Sequence, residues 1–155
     1  RNKEFFSMKV VVQRSLAASV AISGQTVGEI SKGLVVFVGF THEDTSADIN
    51  YVVQKMINLR IFEDEEGKMN QSLIDVTGEL LSISQFTLFA NTKKGRRPSF
   101  TAAAAPDIAL TLYKEFNEAI RAEGVVVATG EFGADMQVSL VNDGPITITI
   151  DSKNP

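Results

Sequence analysis

At 155 residues, with 44% hydrophobic and 22% charged residues, the chain has the size and balance of one globular domain rather than a disordered or fibrous one. A formal net charge of -4 argues against a protein that holds nucleic acid by overall charge alone, although it permits a local basic patch. Cysteine is absent and histidine occurs once, which excludes disulfides, cysteine nucleophiles and thiolate metal sites, and no apolar run reaches the roughly eighteen residues of a membrane span.

The first seven residues, RNKEFFS, precede Met8, where a strand pattern begins. They are expected to be an appended remnant lacking the apolar stretch of a signal peptide, with residues 8–155 forming a single domain. Residues 9–14 (KVVVQR) and 17–22 (AASVAI) are β-branched runs, and Ser23-Gly24-Gln25 offers a turn into a strand over 26–30. Residues 33–40 (GLVVFVGF) are almost continuously apolar, as in a strand buried on both faces. Over 46–60, Ile49, Val52, Val53, Met56 and Ile57 recur at helical spacing, with Thr45 and Asp48 in capping-box positions. The acidic stretch FEDEEGK, 62–68, reads as a turn. Its four carboxylates invite a metal site, but a solvated loop is the commoner reading of such a run.

Residues 79–89 (ELLSISQFTLF) return to a strand pattern and stop at the basic loop NTKKGRRPSF. A second helix fits 106–123: proline opens it, Asp107 suits its positive end, and Ala109, Leu112, Tyr113, Phe116 and Ile120 form its apolar stripe before Gly124 ends it. Strands are expected over 125–131, 136–142 and 146–151, with Ile146, Ile148 and Ile150 on one face and Thr147 and Thr149 on the other. The expected product is an α/β domain of mostly antiparallel β-sheets forming a barrel-like core, with two main helices packed outside.

Little conventional chemistry is available. There is no G-x-S-x-G, Walker A loop or G-x-G-x-x-G, so nucleotide-cofactor chemistry is not expected. His42, after a strand in THEDT, has the chemistry of a general base, but a lone loop histidine is more often an exposed polar residue. Ser84, Gln85, Phe86 and Thr87 lie at a strand end, where hydroxyl, amide and backbone N–H groups can line a pocket and where Ser and Thr also occur for ordinary turn reasons. Thr87 makes a poor nucleophile, since nothing in the motif can take its proton. Lys93, Lys94, Arg96 and Arg97 bend around Gly95 in the next loop, suited equally to phosphates or to solvent. NDGPITI, 142–148, resembles a two-residue hairpin turn, yet the closing N–H would belong to Pro145, which has none.

SQFTL, then TKKGRRPSF, then FGADMQVSLVNDGP, in that order, closely resemble the D-aminoacyl-tRNA deacylase (D-tyrosyl-tRNA(Tyr) deacylase) family, from Met8 essentially to the end. Ile146 stands where the family pattern NxGPVT has valine, a swap that keeps a β-branched apolar side chain. The resemblance implies a cytoplasmic homodimer with shared active sites, requiring no cofactor or metal and no membrane. It would hydrolyse the ester joining a D-amino acid or glycine to tRNA. It also implies a cis Gly144-Pro145 bond, carried into the partner's site as a chirality filter, and a pocket built mainly from main-chain groups around Ser84 to Thr87. Gln85 and Phe86 would hold the terminal adenosine, the carbonyl near Ala104 the amino group, and the tRNA 2′-hydroxyl would help activate water. Alternatives are a tRNA-binding module without turnover, a Gly144-Pro145 pair that only sets an interface register, and a related editing family with a trans Gly-Pro whose signatures differ from these.

Overall fold

The computed structural model describes residues 7–153; most of the expected N-terminal remnant, residues 1–6, lies outside the described residues, as do 154 and 155. A five-stranded sheet occupies the middle, in the order β10 (Asn142–Asp151), β1 (Lys9–Ser15), β4 (Gly33–Gly39), β7 (Glu79–Ser84), β8 (Val127–Thr129). β10, β1 and β4 pair antiparallel, whereas β4, β7 and β8 pair parallel. The parallel pairs require long crossovers. The first runs through α1 (Ser46–Asn58) and a small hairpin of β5 (Phe62–Glu63) and β6 (Met69–Gln71); the second runs through α2 (Pro106–Arg121).

Both helices cover one face of this sheet. Val10, Val12, Leu34, Val36, Val38 and Leu80 point into that layer and meet Ile49, Met56, Phe116 and Ile120, all fully or almost fully buried. On the opposite face Val35, Leu81 and Ile83 meet Ala18, Val20 and Ile30 of a three-stranded sheet ordered β3 (Gln25–Ile30), β2 (Ala18–Ile22), β9 (Gln137–Ser139). β4 is therefore buried on both sides, which is why its sequence is apolar without alternation. The mixed α/β architecture, with two helices and several antiparallel pairings, is as expected. The sheets do not close into a barrel: among the described residues the two share no hydrogen-bonded strand pair, and they approach at Gly28, where an added Cβ would lie 2.4 Å from the Thr129 carbonyl oxygen.

Further departures have local causes. The strand expected over 79–89 stops at Ser84, and Phe86–Phe89 form a 3₁₀ turn. The two closing strands expected over 136–142 and 146–151 are instead a short β9 and a β10 that runs through Gly144-Pro145. The acidic turn is capped by its own Asp64, whose Oδ1 accepts the Glu66 and Lys68 amides at 2.9 and 3.0 Å.

The start of α1 ties residues 7 and 8 to residues 152 and 153. Asp48 accepts the Thr45 amide at 2.9 Å and the Ser152 hydroxyl at 2.7 Å; Asp44 accepts the Met8 amide at 3.0 Å. Ser152 N–H in turn donates to the Met8 carbonyl at 3.1 Å, and Lys153 N–H to the Ser7 hydroxyl at 3.2 Å. Burial raises the Asp44 carboxyl. At Asp48 burial also pushes upward, but the Thr45 amide, Ser152 hydroxyl and Lys153 ammonium together outweigh it and hold the carboxyl below its usual value. No helix among the described residues is long and apolar enough to cross a membrane.

Candidate active site

The SQFTL stretch is placed by the parallel pairing of β7 with β4. Ser84 lies opposite Val38, and the Gln85 amide extends the ladder by donating to the Val38 carbonyl at 2.8 Å. The chain then turns: Leu88 N–H donates to the Gln85 carbonyl at 3.3 Å and Ala90 N–H to that of Thr87 at 3.1 Å. Gly39 makes room for this turn, since a Cβ there would lie 3.0 Å from the Gln85 oxygen and 3.1 Å from the Phe89 ring. Of the amides expected to act as donors, that of Gln85 is engaged with β4. Those of Phe86 and Thr87 open the 3₁₀ turn, and no hydrogen bond among the described residues uses them. Gln85 Nε2 donates to the Thr87 hydroxyl at 2.6 Å, and among the described residues no histidine, lysine or carboxylate is bonded to that hydroxyl. Phe86 is 56% exposed and meets Phe100 edge to face, with ring centroids 5.0 Å apart.

The basic loop rises beside this turn. Asn91 and Ser99 exchange backbone hydrogen bonds at 2.7 and 2.9 Å, closing a narrow base from which Lys93, Lys94, Arg96 and Arg97 project, all exposed. Gly95 reverses the chain with φ +65°. Ala104, 9% exposed, follows and is drawn onto the end of β4, its amide donating to the Phe40 carbonyl at 3.0 Å. His42 is exposed and faces the Thr101 carbonyl.

In NDGP the donor that Pro145 lacks is not needed. The Asn142 side chain takes over the turn, its Oδ1 accepting the Ile146 amide at 3.1 Å and its Nδ2 donating to the Thr147 hydroxyl at 3.0 Å. The Gly144-Pro145 peptide bond is cis, and both residues are exposed. Gly144 has φ +127°, a conformation reserved for glycine. Behind them stands Arg14, 7% exposed, whose Nε donates to the Asp143 carbonyl at 3.2 Å and lies 3.3 Å from its carboxylate. Its Nη1 donates to the Ile61 carbonyl at 2.8 Å. Sequence reasoning missed Arg14, although a signal existed: it follows Val10 and Val12 on the inward face of a strand, where an arginine is buried only with partners.

The two motifs do not meet within one chain. Gly144 sits beside Arg14, which pairs with Leu34 and through it with Leu80, whereas Ser84 lies four residues further along β7. With three strand spacings across the sheet and that offset along it, SQFTL and NDGP are separated by roughly 20 Å. SQFTL, the basic loop and Ala104 cluster at one end of the central sheet, and NDGP stands at the other.

Residues 11–151 match the family model described as D-Tyr-tRNA(Tyr) deacylase. The chain is 61% identical over 146 residues to the D-aminoacyl-tRNA deacylase of Bacillus licheniformis, covering 94% of this chain and 99% of that protein. It is 58% identical to the D-aminoacyl-tRNA deacylase of Bacillus cereus, covering 94% and 100% respectively. The solved structure of a protein named c-Myc DNA Unwinding Element Binding Protein superposes with a TM-score of 0.86 at 40% identity, covering 92% of this chain and 97% of the other.

Proposed function

This chain belongs to the D-Tyr-tRNA(Tyr) deacylase family, and on that premise we propose that it is a hydrolase that releases free D-amino acids from D-aminoacyl-tRNA in the cytoplasm. The observation that carries this reading is 61% identity, over 94% of the chain, to a protein named for that activity. Glycine carried on tRNA is a second substrate, since it has no side chain for a filter to reject.

Hydrolysis adds a water oxygen to the ester carbonyl carbon and expels the ribose oxygen of the terminal adenosine. Negative charge develops on the carbonyl oxygen, and the amides of Phe86 and Thr87 are the donors for it; one such donor is worth about 3 kcal/mol. The side chains bonded to Thr87 offer no base, so the 2′-hydroxyl of the adenosine helps to activate the water. Gln85 and the exposed ring of Phe86 hold the adenosine, and the Ala104 carbonyl holds the substrate's amino group. Lys93, Lys94, Arg96 and Arg97 take phosphates of the acceptor stem.

Chirality is read by the partner subunit's Gly144 and Pro145 in a homodimer with shared sites, their carbonyls leaving no room for an L side chain. What supports sharing is the separation of the two motifs by roughly 20 Å in one chain, too far to enclose a single aminoacyl group.

The test is a deacylation time course on matched D-tyrosyl-tRNA and L-tyrosyl-tRNA. Release of D-tyrosine alone is expected. Binding of both without release would overturn the hydrolase reading in favour of a nucleic-acid-binding module, the kind of role for which the 40% identical protein is named.

A further inference from the structure

Three consecutive residues at the end of β4 hold the segment that leads from the basic loop to Ala104. The Phe40 carbonyl accepts the Ala104 amide at 3.0 Å, the Thr41 hydroxyl donates to the Ala102 carbonyl, and Thr41 pairs with Ala103 as an antiparallel bridge. His42 completes the series, with Nε2 2.8 Å from the Thr101 carbonyl oxygen. A carbonyl only accepts, so Nε2 carries a proton there. The ring does not hang from a mobile loop. Thr41 is buried, its amide donates to the Asp44 carboxylate at 2.6 Å, and Glu43 turns the chain with φ +71°. His42 therefore projects from a tight turn pinned on both sides.

The basic loop has two roots: the Asn91–Ser99 pair on the side of SQFTL, and the Thr101–Ala104 segment on the side of β4. We propose that His42 is a positioning residue for tRNA: by donating to Thr101 it sets the second root, and with it the angle of the basic loop and the place of Ala104. The proposal rests on the reading that this loop and Ala104 meet the acceptor end. Its chemistry requires an N–H donor at the Nε2 position and no proton transfer. That separates it from a general base, which would have to give up its proton, and from a merely exposed polar residue, whose loss changes nothing.

The experiment compares wild type, His42→Ala and His42→Gln, the last supplying an amide N–H in place of Nε2. Two readouts are taken: amide hydrogen exchange of peptides covering residues 99–104, and KM and kcat on D-tyrosyl-tRNA. For His42→Ala, exchange in 99–104 is expected to quicken while α1 and α2 stay protected. KM is expected to rise about threefold to tenfold, the equivalent of one net hydrogen bond, with kcat within about twofold. His42→Gln should return both readouts toward wild type. Unchanged exchange overturns the proposal, as does quickened exchange with unchanged KM. A fall in kcat at constant KM overturns it in favour of a chemical role, and failure of folded His42→Gln to restore either readout also overturns it. If wild type binds D-tyrosyl-tRNA without cleaving it, the deacylase reading fails separately, and the exchange data with the Kd for the same tRNA decide the role of His42.

Discussion

Arg14 and Asp143 are joined twice, through the Asp143 carbonyl at 3.2 Å and through its carboxylate at 3.3 Å, and the same guanidinium reaches the Ile61 carbonyl at 2.8 Å. One planar group thus spans two segments that are distant in sequence. Lysine presents its donors from a single point and cannot serve both carbonyls. Arg14→Lys is expected to cost about 1.5–3 kcal/mol, the range for hydrogen bonds to a charged group, and to lower Tm by roughly 3–12 °C. Differential scanning calorimetry checks this; an unchanged Tm would show that the fork contributes nothing.

Gly144 is held at φ +127°, and a Cβ added there would lie 2.8 Å from Ile146 Cγ1 and 3.0 Å from the Ile146 amide nitrogen. Gly144→Ala is expected to cost about 1–3 kcal/mol through backbone strain and to displace the Asp143–Pro145 segment. Activity on the D ester should fall further than Tm alone explains. Wild-type values of both would mean that this segment relaxes freely.

The Thr87 hydroxyl accepts from Gln85 at 2.6 Å, and no base among the described residues is bonded to it to remove its proton. Thr87→Ala is therefore expected to retain much of its activity, losing about tenfold or less. Loss of more than about a thousandfold in single-turnover hydrolysis would make Thr87 a nucleophile after all.

Tyr113 donates to the Ser82 carbonyl at 2.7 Å within the layer between α2 and β7, and burial raises its phenol above the ordinary value of 10.0. Below pH 10 the phenol is neutral in folded and unfolded chains alike and adds no pH dependence. Above it the unfolded chain ionises first, so stability declines from about pH 10 upward until the folded pKa is passed. Tyr113→Phe should cost about 0.5–1.5 kcal/mol at pH 7 and show a shallower alkaline decline. Urea midpoints at pH 8, 10 and 11 provide the comparison; parallel declines in the two proteins would refute the assignment.

The proposed sharing of sites predicts complementation. In a mixed dimer of Gln85→Ala and Pro145→Ala chains, one site carries both lesions and the other carries neither. Co-refolding equal amounts of the two should restore about a quarter of wild-type activity on the D ester, because half of randomly paired dimers are mixed and each has one intact site. No gain over the separate variants would place both motifs in one chain's site.

How much of this was legible in sequence depended on the range of the interactions. Thr45, Asp48 and the apolar spacing that follows them are local, and α1 could be read from them. The apolar run of β4 disclosed burial on both faces but not its parallel partner, because direction of pairing is decided by a crossover. Phe86, Leu88 and Phe89 read as more strand. What ends β7 is the 3₁₀ turn over Phe86–Phe89, for which Gly39 leaves space beside Gln85 and Phe89, a contact between residues more than forty positions apart. β5 and β6 span only two and three residues, too short for a period. At NDGP the sequence exposed a missing donor, and the structure supplies its remedy from the Asn142 side chain.

Ser7 and Met8 lie against Ser152 and Lys153 through two hydrogen bonds, with the start of α1 bracing both. A chain in which these two segments are neighbours can be re-cut. Joining residue 153 to residue 7 by a short glycine-rich linker and opening the exposed Ser23-Gly24 turn would yield a circular permutant with every strand pairing intact. In it, SQFTL would precede NDGP as before, while β1 and Arg14 would follow both. The place of β1 along the chain would thereby be separated from its place in the sheet.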